Sequence, residues 1–244
     1  MAVDPGQSQS LARRVRDELL TAMRDGGFAG GRLPPEAELA GRMGVSRTTI
    51  RAALQSLAED CIISRRRRHG TVVNERMVRG RLPLNRLVSF KELVAQAGHE
   101  PSVDPLVRHV AAPDAEAGAA LGLAPGVPCL TVVRLLRADG APAIAVLDVV
   151  PLTLLVVAPE AVVDADSTFA FMARNTSATV DHSAVEIVPR VAAAHAPEHL
   201  ELPAGMPYVE LLETLFSPGR VAVAFSRIAV HPRQVHLTLS RRGG

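Results

Sequence analysis

Two short helical patterns separated by Gly44, followed by two β-prone runs around four consecutive arginines, constrain this chain more than anything else in it. The first pattern follows Leu33-Pro34-Pro35-Glu36, where Pro35 can open a helix because an amide at the first position needs no partner. Leu39, Ala40 and Met43 form its buried stripe. The second pattern starts at Val45-Ser46. Ser46 is placed to accept a bond from a free amide of the first turn, and Ile50, Ala53, Leu54 and Leu57 face inward. An earlier helix carries Leu11, Val15, Leu19, Leu20 and Met23 at helical spacing and stops at Gly26-Gly27.

Two short helices around a Gly-containing turn make a helix-turn-helix, whose second helix enters the major groove by its N-terminus. Arg47, Thr48, Thr49 and Arg51 occupy that end and face away from the apolar stripe. Arginine donates two bonds to guanine, and threonine contacts bases or phosphates. Cys61-Ile62-Ile63-Ser64 and Thr71-Val72-Val73 then flank Arg65-Arg66-Arg67-Arg68-His69-Gly70, a hairpin with a basic tip that suits phosphates or the minor groove. The charge balance agrees. Residues 1–76 carry 13 Arg against 9 Asp and Glu, whereas the rest carries 14 Lys and Arg against 16 acids. A basic segment beside an acidic one suits nucleic-acid binding by the first.

Leu33-Pro34-Pro35-Glu36, Glu38-Leu39-Ala40, the run from Gly44 to Leu54, and His69-Gly70-Thr71-Val72-Val73 resemble the winged-helix signature of the GntR family over roughly residues 10–74. The resemblance implies that Arg47, Thr48, Thr49 and Arg51 read an operator and that His69 and Gly70 touch DNA at the wing tip. Arg32, Glu36, Ser46 and Arg68 complete the DNA-facing set. The chain departs from the family at two places. Pro35 stands where a capping Ser is usual, and Asp60-Cys61 where a Gly is usual.

Residues 75–86 contain Gly80, Pro83 and four Arg and read as a linker, leaving 87–244 as a second domain. That domain contains a degenerate repeat. Leu121-Gly-Leu123-Ala-Pro-Gly126-Val-Pro128 matches Leu200-Glu-Leu202-Pro-Ala-Gly205-Met-Pro207 at an offset of 79, and Gly140 falls opposite Gly219. Each unit reads as helix, tight Gly turn, strand, Gly hairpin, strand. The predicted helices lie near 114–121 and 192–200. The predicted strands lie near 128–138, 142–150, 207–216 and 220–230. The result is an α+β chain: a winged helix-turn-helix, then a mostly antiparallel sheet with flanking helices.

The order of pieces in residues 87–242 resembles the UTRA effector domain of the HutC branch of GntR regulators, which shares the chorismate lyase fold. The pieces are Ser89-Phe90, the first repeat, Arg134 with Asp139-Gly140-Ala141-Pro142, Pro151, and Ser226-Arg227 with His231-Pro232. The resemblance implies an effector held by Ser89, Phe90, Arg134, Ser167, Thr168 and Phe169. Arg134 would hold an anionic group by a charge-assisted bond. The family's second Arg position is Leu136, and its acidic positions are Val146 and Val223. That pattern disfavours a phosphosugar and favours a partly apolar acid. The family also implies a homodimeric, ligand-controlled repressor on a palindromic operator. Two other readings are a chorismate lyase-like enzyme fused to a DNA-binding head, and a constitutive DNA binder with a dimerisation-only second domain.

Other chemistry is not evident in the sequence. There is no P-loop, Gly-x-Ser-x-Gly or dinucleotide fingerprint, so no catalytic residue or cofactor is expected. His195 and His199 are four apart, but Pro197 intervenes and no third ligand stands nearby, so no metal is expected. Cys61 and Cys129 lie far apart, which points to a reducing compartment. No signal pattern or membrane-length apolar run is present, and a cytoplasmic protein is expected.

Overall fold

The computed structural model describes residues 5–66, 70–78, 81–84, 87–192 and 198–238. The chain divides into two units. One comprises Met1–Arg86, Gln96–Gly98 and Leu237–Gly244, and the other Leu87–Ala95 and His99–His236.

In the first unit, α1 (Pro5–Arg24), α2 (Glu36–Met43) and α3 (Arg47–Glu59) surround one core. Val15, Leu19, Leu20 and Met23 of α1 meet Leu39 and Ala40 of α2 and Ile50, Ala53, Leu54 and Leu57 of α3. Leu11, expected in this stripe, is exposed. Arg16 is buried among the apolar residues and donates to Asp60 at 2.7 Å and to Asp17 at 2.8 Å, fastening α1 to the end of α3. Pro35 gives α2 no side-chain cap, and Glu36 and Glu38 in the first turn complement the helix dipole instead. The Ser46 hydroxyl caps α3 by accepting from the Thr49 amide at 3.1 Å.

The chain leaves α3 through Cys61, whose φ of 56° is left-handed, at the place where the family's Gly is missing. An L-residue pays about 1–2 kcal/mol there, partly offset in Gly by its looser unfolded chain. Cys61→Gly is therefore expected to stabilise the protein by about 0.5–1 kcal/mol, read as a higher urea midpoint at unchanged slope; a lower midpoint would mean that Cys61 is not strained. Next come β2 (Ile63–Arg66) and β3 (Gly70–Val73), which β1 (Arg32–Leu33) joins in a sheet of order β1-β3-β2. Short α4 (Glu75–Val78) and β4 (Arg81–Pro83) follow.

The second unit contains α5 (Phe90–Gln96), β5 (Pro101–Ala111), α6 (Ala115–Ala120), β6 (Cys129–Ala138), β7 (Ala141–Pro151), α7 (Thr168–Asn175), β8 (His182–Val191), β9 (Pro207–Phe216) and β10 (Ala222–Val230). The last strand, β11 (His236–Thr238), has Leu237 and Thr238 in the first unit, where it pairs with β4. The main sheet is antiparallel in the order β5-β6-β7-β10-β9-β8. The four strands predicted from the repeat are its centre. The outer strands β5 and β8 were not predicted. Of the second predicted helix only a short 3-10 turn, Glu198–Leu200, is described, and residues 193–197, with His195 and Pro197, lie outside the described residues.

The repeat is visible as a pseudo-two-fold axis through the sheet. Leu147 pairs with Val133 on one side and with Arg227 on the other, and Arg227 pairs with Leu212. Val133 and Leu212 keep the offset of 79, while Leu147 and Arg227 are 80 apart because the second hairpin is one residue longer. The axis thus crosses the sheet at the Leu147–Arg227 pair. It exchanges the row Val132–Asp148–Ser226–Glu213 with Leu211–Ile228–Val146–Arg134. Phe171 and Met172 of α7 cover one face over Leu130, Val132, Val150 and Leu215. Ala117 of α6 covers the other over Cys129, Val149 and Phe225. Among the described residues no helix is long and apolar enough to cross a membrane, and no cluster of metal-ligating side chains is found.

Candidate nucleic-acid interface and effector cavity

The N-terminal end of α3 presents Arg47, Thr48 and Arg51 on the outside of the first unit. The Arg51 guanidinium donates to Glu36 Oε2 at 3.1 and 3.3 Å, and Glu36 Oε1 lies 3.5 Å from Arg65 on β2. Glu36, expected to face DNA, therefore ties the outer face of α3 to the base of the wing. Thr49 corrects the sequence expectation. It is turned inward and buried, and its hydroxyl pairs with Ser46 at 2.8 Å. Three residues after the cap is an inward position, so Thr49 completes the cap and leaves the outer face to its neighbours. Ser46 is likewise engaged as the cap. Arg32 is exposed on β1, and Gly70 opens β3 at a φ of 74° that favours glycine. Arg68 and His69 lie outside the described residues.

In the second unit, Ser89, Phe90, Arg134, Ser167, Thr168 and Phe169 all line one cavity under α7. It holds about 30 Å³, room for about one or two waters. It shares Val103, Arg134 and Asp166 with an adjoining cleft of about 340 Å³. Leu136 and Val146, the apolar replacements noted in the sequence, are part of the wall. The Ser89 hydroxyl accepts from the Glu92 amide at 3.1 Å, and the Ser167 hydroxyl accepts from the Ala170 amide at 3.2 Å. Both serines thus cap the helices that open at the cavity.

Arg134 is buried, and its Nη2 donates to Asp148, which is wholly buried on β7. Thr168 donates to the same carboxylate at 3.0 Å and Ser226 at 2.5 Å, while Arg134 lies over the Phe171 ring. Sequence reasoning missed Asp148 and Ser226 as partners. The signal was present: a single acid inside the apolar run from Ala141 to Val157 must find a cation once buried. Arg134 Nη1 has no hydrogen-bond partner among the described residues. Glu213 on β9 also lines the cavity. Burial pushes its carboxyl up from the ordinary range, the nearby Asp148 charge adds to this, and a bond from Ser183 opposes it. At the rim, Lys91 donates to Asp166 at 2.5 Å and holds that carboxyl below its usual range.

A basic helix end beside a two-stranded hairpin, with a cavity lined by polar side chains in the second unit, is the arrangement expected of a DNA-binding regulator with an effector-type domain. Comparison with known proteins gives the family. Residues 11–73 match the model of bacterial regulatory proteins of the gntR family, and residues 96–236 match the UTRA domain. The chain is a GntR-family regulator with a UTRA domain. It is 33% identical over 135 residues to an uncharacterized HTH-type transcriptional regulator of Rhizobium meliloti; that alignment spans 54% of this chain and 54% of the relative. It is 27% identical over 199 residues to the probable transcriptional regulator PhnF of Escherichia coli, spanning 82% of this chain and 80% of the relative. The crystal structure of PhnF from Mycobacterium smegmatis superposes with a TM-score of 0.60 at 25% identity, covering 94% of this chain and all of that one. The two sequence relatives are named as transcriptional regulators, not as enzymes.

Proposed function

We propose that this chain is a cytoplasmic repressor of the HutC branch that binds a palindromic operator as a homodimer and is released by a small-molecule effector. In this reading residues 1–74 bind DNA, 75–86 link, and 87–244 bind the effector and dimerise. The carrying observation is the outer face of α3, where Arg47, Thr48 and Arg51 are exposed together and Glu36 couples Arg51 to the wing residue Arg65. Two such helices on a symmetric dimer would meet half-sites about one helical turn apart. Arg32, Gly70, Arg68 and His69 would add backbone contacts around them. The effector would occupy the cavity lined by Ser89, Phe90, Arg134, Ser167, Thr168 and Phe169.

The test is fluorescence anisotropy of the full chain on a palindrome from its own promoter region. Saturable binding is expected to weaken steeply with salt, in proportion to the phosphates neutralised. A metabolite that releases the DNA should also raise the melting temperature of the free protein, because it must favour one state over the other. Binding that ignores sequence would overturn the operator reading, and operator binding that no metabolite weakens would overturn the effector reading.

A further inference from the structure

The polar groups around the two cavities can be matched one by one. Lys91 pairs with Asp166, Arg108 with Asp164 at 3.3 Å, and Arg134 with Asp148. Glu213 is the remaining carboxyl of the lining, and the partner it has is a neutral hydroxyl, that of Ser183. Arg134 Nη1 is a buried donor without a hydrogen-bond partner among the described residues, on a side chain whose charge Asp148 already balances. An acid entering here would satisfy that donor but add a second negative charge close to Asp148 and Glu213. Placing an unbalanced charge in a buried site is strongly unfavourable unless a counter-charge accompanies it. A cation has the opposite effect, because it supplies the charge that Glu213 lacks.

From this we infer that the effector is an amine carrying an uncharged hydrogen-bond acceptor, its ammonium against Glu213 and its acceptor on Arg134 Nη1. The inference rests on the effector reading above and names the chemistry of that same cavity. The cavity itself has room for one or two waters, so the body of the molecule would extend into the adjoining cleft of about 340 Å³. Arg134 stands on β6 and Glu213 on β9, with β7 and β10 between them, and Leu136 and Val146 supply an apolar wall. Phe90 and Phe169 also line the cavity, and aromatic rings attract cations rather than carboxylates. The acid expected from the sequence takes its anionic group from Arg134, whose charge Asp148 already balances.

The experiment titrates the full chain, by calorimetry and thermal shift, with a panel of small amino alcohols and amino amides. A second panel holds the carboxylic acids of matching skeletons. The amine panel is expected to raise the melting temperature and the acid panel to leave it unmoved. Glu213→Gln, which removes the charge and keeps the shape, is expected to weaken the amines at least roughly tenfold, a loss of about 1.4 kcal/mol. The unliganded melting curve of that variant confirms that it is folded. Acids binding in preference to amines, or amine affinity indifferent to Glu213→Gln, would overturn the amine assignment and leave the effector reading intact. Failure of both panels would also overturn the assignment; the effector reading would then be decided separately by the operator-release screen.

Discussion

Asp148→Ala is expected to destabilise the full-length protein by about 3–5 kcal/mol, the usual loss when one member of a buried ion pair is removed. The substitution leaves the Arg134 guanidinium buried with its Nη2 stripped of a counter-charge, and it takes the acceptor from Thr168 and Ser226 as well. Such a loss is a large share of the roughly 5–15 kcal/mol by which domains are stable. Equilibrium unfolding in urea measures it. The companion variant, Arg134→Met with Asp148→Leu, removes both charges and should recover most of the loss, because an apolar pair of similar volume avoids the desolvation cost. A cost below about 1 kcal/mol for Asp148→Ala would mean that the pair is solvated in solution, and the charge balance assigned to the cavity would fail with it.

Arg47→Ala is expected to cost about 1–3 kcal/mol of operator affinity, roughly fivefold to 150-fold, with unfolding free energy unchanged. Arg47 is exposed at the first position of α3, so its removal leaves the core intact. Arg51→Ala should behave similarly but also frees Glu36, whose carboxylate would then stand near the phosphates with one arginine fewer to neutralise it. Anisotropy on the specific palindrome and on a scrambled duplex separates the cases. A base-reading arginine lowers the specific affinity more than the non-specific one, whereas a phosphate contact lowers both alike and flattens the salt dependence. Equal affinity of wild type and Arg47→Ala for the palindrome would remove α3 from the interface.

Much of this fold was legible because helical and alternating patterns coincide with strong punctuation. Gly44, Ser46 and the repeated Gly-x-Pro turns stand at element ends, and the core residues read from periodicity, Leu11 excepted, pack in the first unit. The outer strands were not legible. β5 contains Pro101 and Pro105 and breaks its register between Pro105 and Val107, and β8 is exposed along most of its length, so neither shows alternation. In the cavity, the six residues expected from the resemblance do line one space, but its electrostatics depended on groups that no local pattern names. Asp148, Glu213 and Ser226 come from three different strands, and sheet register alone brings Asp148 to Arg134, Ser226 to Asp148 and Glu213 to the same cavity. The burial of Arg16 was hidden for the same reason, since its partner Asp60 lies 44 residues away.

The pseudo-two-fold axis also bears on the direction in which a ligand can sit. Arg134 and Glu213 occupy equivalent places in the two halves of the sheet, so a cavity straddling perfectly repeated halves would present the same group at both ends. Such a site would accept a molecule equally well in either orientation. With a guanidinium at one of these equivalent places and a carboxyl at the other, the duplicated framework has acquired a head and a tail. Divergence at a single pair of equivalent positions is enough to make a symmetric scaffold tell one end of its ligand from the other.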